Sequence, residues 1–396
     1  MRYQMVDIDL AAPVPMPGLD GAAGLGVVVR HRGVVQAFRM GPLRPGDTPA
    51  GLLDRLLVGS SEILLAAAVR RELAPASQVP PERTLTVAIC TKDRPDLLKR
   101  CLDAVSAVRP PWVEVTVVDN ASKTAATRDI VAVRSGVHYI FEPRPGLDFA
   151  RNRALVEATT SDWIAFIDDD VVVDRGYFDG LAAAWAEHPD ARAVTGLVLP
   201  LELETEAQII FERNGGFGRG FTPRRYGSAL TGNSLYPCGS GIFGAGCNMA
   251  FNRRALLTLG GFDEALDTGA PLPGGGDLDV FYRTVRASWV FVYEPSMVVF
   301  HQHRRDLKTL RRQHWSWGLG FMAFVVKSYR ANNDMQPQFR RLVRWWFRYQ
   351  LRNLAKASVG RGTLPLGFVA AEIVGGIQGL FGEYDRSRRR VATHGK

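Results

Sequence analysis

Between Thr84 and Asp170 the apolar residues fall in short runs separated by stretches of helical periodicity. The runs TLTVAIC, VEVTVVD, VHYIF and WIAFIDDD have the length and branching of buried strands. A helix opening at Pro95 carries Leu97, Leu98, Cys101, Leu102 and Val105 on one face, and helical stretches follow at Leu147–Ala158 and Tyr177–Glu187. This alternation predicts an α/β sheet covered on both faces. Ligands of such sheets bind beyond the carboxyl ends of the strands. Three of these ends read Thr91-Lys92-Asp93-Arg94, Asp119-Asn120-Ala121-Ser122 and Asp168-Asp169-Asp170.

The flanks differ from this centre. Residues 1–82 predict a small module with β-rich runs Leu25–Arg30 and Val34–Arg39, joined by His31-Arg32-Gly33, and a helix over Leu52–Leu73. Pro75, Pro80 and Pro81 mark a linker at Ala74–Arg83. The α/β part then occupies residues 83–303, and a helical, aromatic-rich region occupies 304–396. A hydrophobic fraction of 46% and a charged fraction of 22% belong to a folded chain and exclude disorder, a collagen-like repeat and a small disulfide scaffold. Cys90, Cys101, Cys238 and Cys247 form no C-x-x-C pair, which speaks against a zinc knuckle or redox motif and for a reducing compartment.

The net charge of +9 is uneven: residues 301–396 sum to +14 and residues 1–300 to −5. Such a basic tail suits an anionic surface. Gln338–Leu354 predicts an amphipathic helix with Arg340, Arg341, Arg344, Arg348 and Arg352 on one face and Phe339, Leu342, Val343, Trp346 and Phe347 on the other. It fits either an anionic membrane surface or a helix packed on the catalytic part with a solvated arginine face. Nucleic acid is not expected, because no recognition motif accompanies the charge. The start, MRYQMVDIDLAAPVPMPG, lacks the pattern of a secretory signal, and Leu364–Phe381, the most apolar window, is interrupted by Glu372, Gln378 and glycines. The expected location is the cytoplasm, with peripheral contact to the inner face of the membrane.

Three adjacent carboxylates at Asp168, Asp169 and Asp170 repel one another unless a cation joins them. A divalent ion with oxygen ligands is the natural partner; a solvated turn capping the next helix is the alternative. Gly274-Gly275-Gly276-Asp277-Leu278-Asp279 opens another helix, where an Asp can act in chemistry or simply cap. His301 and His303 follow the apolar run SMVVF, which puts them at a strand end, where a neutral imidazole can join a metal site.

Taken in order, ICTKDRPDLLKRCLDAV, VTVVDNAS, PRPGLDFARNRAL, WIAFIDDDVVVD, GCNMAFNRRAL, GGFDEAL and GGGDLDVFYR resemble the inverting family-2 glycosyltransferases of the GT-A fold over about residues 84–303. The resemblance implies a metal-dependent transfer of a sugar from a nucleotide-diphosphate donor to a hydroxyl acceptor, which could be a glycan, a glycolipid or a natural product. It sets Thr91, Asp93 and Arg94 beside the nucleotide and Asp119 on its base or ribose, with Asn120 and Asp169 in the same donor-binding set. Arg151 and Asn152 fall near the diphosphate, although a surface ion pair and a local backbone hydrogen bond serve them equally well. Asp168 falls on the ribose or metal, and Asp170 and His301 on the metal, Mn2+ or Mg2+. Many relatives carry Glu-Asp where this chain has Gly276-Asp277; Asp277 is then the general base, with Asp279 as second candidate. By family frequency the donor is a UDP-sugar before a dTDP- or GDP-sugar.

Gln313-His314-Trp315-Ser316-Trp317 resembles the Q-x-x-R-W signature of processive polysaccharide synthases, but Ser316 stands in the arginine position. Processive synthesis is therefore not expected, and these aromatics line an acceptor pocket or pack the core. Two other functions compete. A nucleotidyltransferase would carry a glycine-rich triphosphate loop after the first strand, which ICTKDRP lacks. A catalytically silent glycan- or membrane-binding protein would have no need of both the Asp168–Asp170 cluster and Asp277.

Overall fold

A computed structural model describes residues 2–12, 18, 21–58, 61–62, 65, 68–69, 72, 83–229, 232–267, 269 and 272–394. In a first sheet, β1 (Gln4–Asp9) lies parallel to β2 (Gly24–His31), which turns back antiparallel into β3 (Val34–Pro42). Arg32 and Gly33 make the turn with φ of 49° and 86°. Two left-handed residues in succession supply the twist that paired strands require. Helix α1 (Pro49–Leu57) is capped by Thr48, whose hydroxyl accepts the Gly51 N–H at 3.1 Å. The helix expected over Leu52–Leu73 is thus described as a helix to Leu57; several positions from 59 to 71, and the expected linker at 74–82, lie outside the described residues.

The larger sheet has nine strands among the described residues. Strands β4 (Leu85–Thr91), β5 (Val113–Asn120), β6 (Val137–Glu142) and β7 (Trp163–Asp168) are parallel, in the spatial order β7-β4-β5-β6. Helices α2 (Pro95–Val108), α3 (Ala126–Ala132) and α4 (Leu147–Glu157) connect them in sequence. Side chains alternate across the sheet. Leu85, Val87 and Ile89 meet Leu98, Leu102 and Val105 on one face, while Ala88 and Val118 meet Ala150 and Ala154 on the other.

Beyond β7 the alternation breaks down. The chain continues through β8 (Val171–Val173), α5 (Tyr177–Glu187), β9 (Ala191–Pro200), α6 (Glu206–Arg213), β10 (Arg224–Tyr226), β11 (Asn248–Asn252), α7 (Arg253–Thr258), α8 (Gly276–Arg286) and β12 (Val290–His301). Strand β11 lies antiparallel between β7 and β9, and β12 runs parallel to β9. The β9–β12 register shifts between Glu294 and Val298. Gly196 makes this bulge passable, since a Cβ there would stand 1.9 Å from the Met297 carbonyl. The N-terminal sheet docks on this half: Val28 and Val35 pack with Leu197, Leu199 and Val298, and buried Arg30 bonds Asp174 at 2.8 Å.

Four α-helices follow among the described residues: α9 (Leu307–Ala331), α10 (Gln336–Ser358), α11 (Leu366–Leu380) and α12 (Glu383–His394). Among the described residues no single helix is long and apolar enough to cross a membrane. The glycines that interrupt the apolar window at Leu364–Phe381 have a packing role. A Cβ on Gly318 would stand 2.0 Å from the Glu372 carbonyl, and one on Gly375 2.0 Å from the Trp315 carbonyl, so α9 and α11 meet backbone to backbone. Phe339, Leu342 and Trp346 of α10 are buried with Tyr282, Met322 and Phe324, and its five arginines are exposed.

Gly375→Ala should therefore force the two helices apart, at the roughly 1–3 kcal/mol of an overpacked core. Gly227→Ala, where no atom lies within 4 Å of the new methyl, should be near neutral. Thermal unfolding checks the pair, with a melting temperature lowered by a few degrees only in the first.

Candidate active site

The sheet register delivers the acidic groups to one edge. Thr91 pairs with Asp119, and Cys90 with Asp168, so the ends of β4, β5 and β7 lie side by side. Asp169 turns inward: one carboxylate oxygen accepts the Thr91 hydroxyl at 2.7 Å and the other Arg94 Nη1 at 3.1 Å. Arg94 also reaches Asp170 at 3.5 Å. Buried Asp119 accepts the Tyr139 hydroxyl at 2.9 Å on Oδ2, while its Oδ1 is buried with no hydrogen-bond partner among the described residues. Burial, then repulsion from Asp170, pushes the Asp168 pKa up to about 7, and burial raises those of Asp169 and Asp170 as well.

His301 ends β12 with Nε2 3.3 Å from Asp170 Oδ1, an atom with no hydrogen-bond partner among the described residues. Its other nitrogen lies 2.9 Å from His303 Nδ1, and His303 Nε2 lies 2.6 Å from Glu212 Oε1. A carboxylate only accepts, so His303 donates to Glu212 from Nε2, and its Nδ1 faces the His301 Nδ1. Burial drives the His301 pKa well below its ordinary value, so the ring is neutral. Ligand atoms of Asp168, Cys247 and His301 lie within 4.8 Å of one another, which suits a divalent cation.

A second acidic group adjoins the first through Arg151. Its buried guanidinium lies 3.1 Å from Asp148, 3.3 Å from Asp267 and 3.9 Å from Asp168. Asp277, in the first turn of α8, accepts the Gly246 N–H at 3.2 Å. A Cβ on Gly246 would stand 3.0 Å from the Asp277 Cβ and 3.2 Å from Arg151 Nη2, so a side chain there would be tight against both. At Gly276 a Cβ would fall 2.0 Å from Asp148 Oδ2. The carboxylate of Asp148 fills the space where a side chain at 276 would begin. Burial raises the Asp148 pKa strongly, and it lifts that of Asp267 to about 6.

Several expected donor contacts are engaged elsewhere. Asn120 accepts the Gly146 N–H at 2.8 Å and donates to the Arg144 carbonyl at 2.7 Å. Asn152 accepts the Phe262 N–H at 2.8 Å and donates to the Phe262 carbonyl at 3.0 Å, so it pins a turn and does not reach the acidic edge. Exposed Asp93 accepts the Lys123 N–H at 2.8 Å. Asp279 is fully buried between Arg283, at 2.7 Å, and Lys327, which removes it as an open base. Of the aromatic tail motif, His314 and Trp315 bond Glu372 and Gln378, whereas Trp317 stands against Phe211 and Phe217, and Phe217 lies edge-on to His301.

Sequence reading singled out neither Asp148, Glu212, Cys247 nor Asp267. Asp148 and Cys247 stand inside the quoted segments PRPGLDFARNRAL and GCNMAFNRRAL, a positional signal; Glu212 and Asp267 carry none.

The curled mixed sheet with its acidic edge and helical C-terminal region is the GT-A fold of glycosyltransferases. Residues 86–259 match the family model described as glycosyl transferase family 2. The pre-mycofactocin glycosyltransferases of two Mycobacterium tuberculosis strains, CDC 1551 / Oshkosh and H37Rv, are each 26% identical over 294 residues, 73% of this chain. The match spans 57% of those relatives' length. Among solved structures, the mannosyltransferase PcManGT from Pyrobaculum calidifontis, in complex with GDP-Man and Mn2+, aligns with a TM-score of 0.51 at 19% identity, over 81% of this chain and 95% of that one. The α/β part of the chain is thus similar to glycosyl transferase family 2.

Asp267 has a folded-state pKa of about 6, above its unfolded value of 3.8. Between these values the folded chain holds a proton that the unfolded chain has released, so stability falls as pH rises through the window. Asn keeps the shape and tolerates the φ of 52° at this position. The melting temperature of the wild type relative to Asp267→Asn should therefore increase as pH is lowered from 7 to 5.

Proposed function

We propose that the protein transfers a sugar from a nucleoside-diphosphate donor to a hydroxyl acceptor with inversion at the anomeric carbon. One observation carries the reading: partly exposed Asp277 faces the acidic edge across Arg151 and Gly246. A donor held at that edge leaves the opposite side of the sugar open to Asp277. The unpartnered Oδ1 of Asp119 suits a ribose hydroxyl or a base N–H. Arg94, together with exposed Arg304 near Asp170, sets positive charge where a diphosphate would lie. Asp168, Asp170 and His301 would hold a divalent cation, Mn2+ or Mg2+, which when bound offsets the charge of the diphosphate leaving group. Asp277 takes the proton of the acceptor hydroxyl as its oxygen attacks, and a single displacement of this kind inverts the centre. UDP-sugars are the first donors to test, followed by GDP- and dTDP-sugars.

Asp277→Asn should bind donor almost normally yet lose transfer by roughly 10²–10⁴-fold. Asp170→Ala should instead abolish metal-dependent nucleotide binding while the fold survives. Calorimetry with a UDP-sugar and Mn2+, beside transfer rates, separates the two. An active Asp277→Asn enzyme would overturn the assignment of the base, and wild-type donor affinity in Asp170→Ala that of the metal site.

For the basic tail we propose contact with an anionic membrane surface through Arg340, Arg344 and Arg348. The apolar face of α10 is buried, so insertion of that face is not part of the reading. Exposed Trp345 and Tyr349, stacked at 5.5 Å beside these arginines, support it as interfacial aromatics. Replacing the three arginines with Gln should reduce co-sedimentation with anionic liposomes, most clearly at low salt. Unchanged co-sedimentation would leave α10 as a packed helix with a solvated face.

A further inference from the structure

All four cysteines lie in or against apolar clusters, and the Cys101 sulfur also stands 3.6 Å from the Asp168 carbonyl oxygen. Cys247 differs: its sulfur lies within 4.8 Å of both a carboxylate oxygen of Asp168 and a ring nitrogen of His301. We propose that Cys247 is itself a ligand of the metal seat, which makes the seat selective for ions with affinity for sulfur and imidazole over Mg2+. The inference rests on the metal site of the proposed function and adds to it a donor and an ion preference.

The position follows from strand pairing. Strand β11 pairs antiparallel with β7, with Asn248 opposite Ile167, so the next pair outward sets Cys247 across from Asp168. Asn248 is fully buried, and its side-chain amide donates to the carbonyls of Leu197 at 3.0 Å and Met297 at 2.9 Å. It thereby ties β11 to β9 and to β12, the strand that ends in His301. Three strand ends of one sheet thus present O, S and N donors toward a common point.

Two further features point to an ion there. Asp170 is 5% exposed, and its Oδ1, 3.3 Å from His301 Nε2, has no hydrogen-bond partner among the described residues. The Glu212–His303 pair holds the His301 ring with Nε2 toward Asp170 Oδ1, the kind of outer support that orients a ligating imidazole. Around a tetrahedral ion with bonds of about 2.0–2.3 Å, ligand atoms stand roughly 3.5 Å apart. Closure from the present spacing is a small side-chain movement, and the thiol proton leaves to solvent on binding. Carboxylate and water ligands alone suit Mg2+, whereas a thiolate with an imidazole favours Co2+ and Zn2+, with Mn2+ between.

The probe is Co2+ with UDP present, added to the metal-stripped 396-residue chain and followed by calorimetry and near-ultraviolet absorption. The wild type should bind Co2+ with a thiolate-to-cobalt charge-transfer band. Cys247→Ser and Cys247→Ala should still bind it, roughly ten-fold or more weakly, without the band, and their preference for Co2+ over Mg2+ should narrow. Cys101→Ser and Cys238→Ser should keep the band. Circular dichroism identifies a variant that fails to fold; two substitutions and the wild-type spectrum keep the proposal exposed to test. Co2+ binding without a band in the wild type, or a band that survives in Cys247→Ser, overturns the cysteine ligand alone. No Co2+ binding by the wild type overturns the metal seat as well.

Discussion

Six carboxylates, those of Asp148, Asp168, Asp169, Asp170, Asp267 and Asp277, gather at one end of a rigid sheet, and the guanidiniums of Arg94 and Arg151 pair with five of them, all but Asp277. Arg151 is the more constrained of the two. It is 3% exposed, and it bridges the strand-end acids to those around α8. A buried charge is tolerated only when paired, so Asp148 and Asp267 need Arg151 as much as Arg151 needs them. Burial weakens the acidity of both aspartates, and repulsion from neighbouring carboxylates adds to the effect. A cation at the Asp168 side would relieve the same crowding.

Close backbone approach is what brings these groups within reach of one another. Gly246 lets Asp277 and Arg151 converge, and Gly276 leaves room for the carboxylate of Asp148. Gly196 lets β12 shift register against β9 and still finish at His301. At Gly196 and Gly276 a methyl group would collide with a backbone carbonyl or a carboxylate oxygen, and at Gly246 it would be tight against Asp277 and Arg151. The chemistry of the site is therefore coupled to packing at positions that carry no chemistry.

The C-terminal helices show the same coupling on a larger scale. Glycines of α9 and α11 bring the two helices into backbone contact, and the apolar face of α10 covers α8 and α9. Helix α8 carries Asp277, so the tail buttresses the element that holds the proposed base. Lys327 of α9 reaches directly into this region and neutralises Asp279.

The sequence by itself determined the parallel half of the sheet and the acidic edge. Runs such as TLTVAIC and WIAFIDDD are local patterns, and the ends of parallel strands fall at one edge whatever their order. It also determined the amphipathic character of α10, since that periodicity is local too. Tertiary structure alone decided which polar residues face the site. Asn152 and Asp279 stand in motif segments but pin a turn and an ion pair, because hydrogen bonds to Phe262, and to Arg283 and Lys327, claim them. Cys247 and Glu212 reach the histidines only through an antiparallel insertion and a helix packed across the sheet edge, contacts between residues dozens of positions apart in the chain. Periodicity reports the face a residue takes within its own element; the partner across the gap is set by how the elements pack.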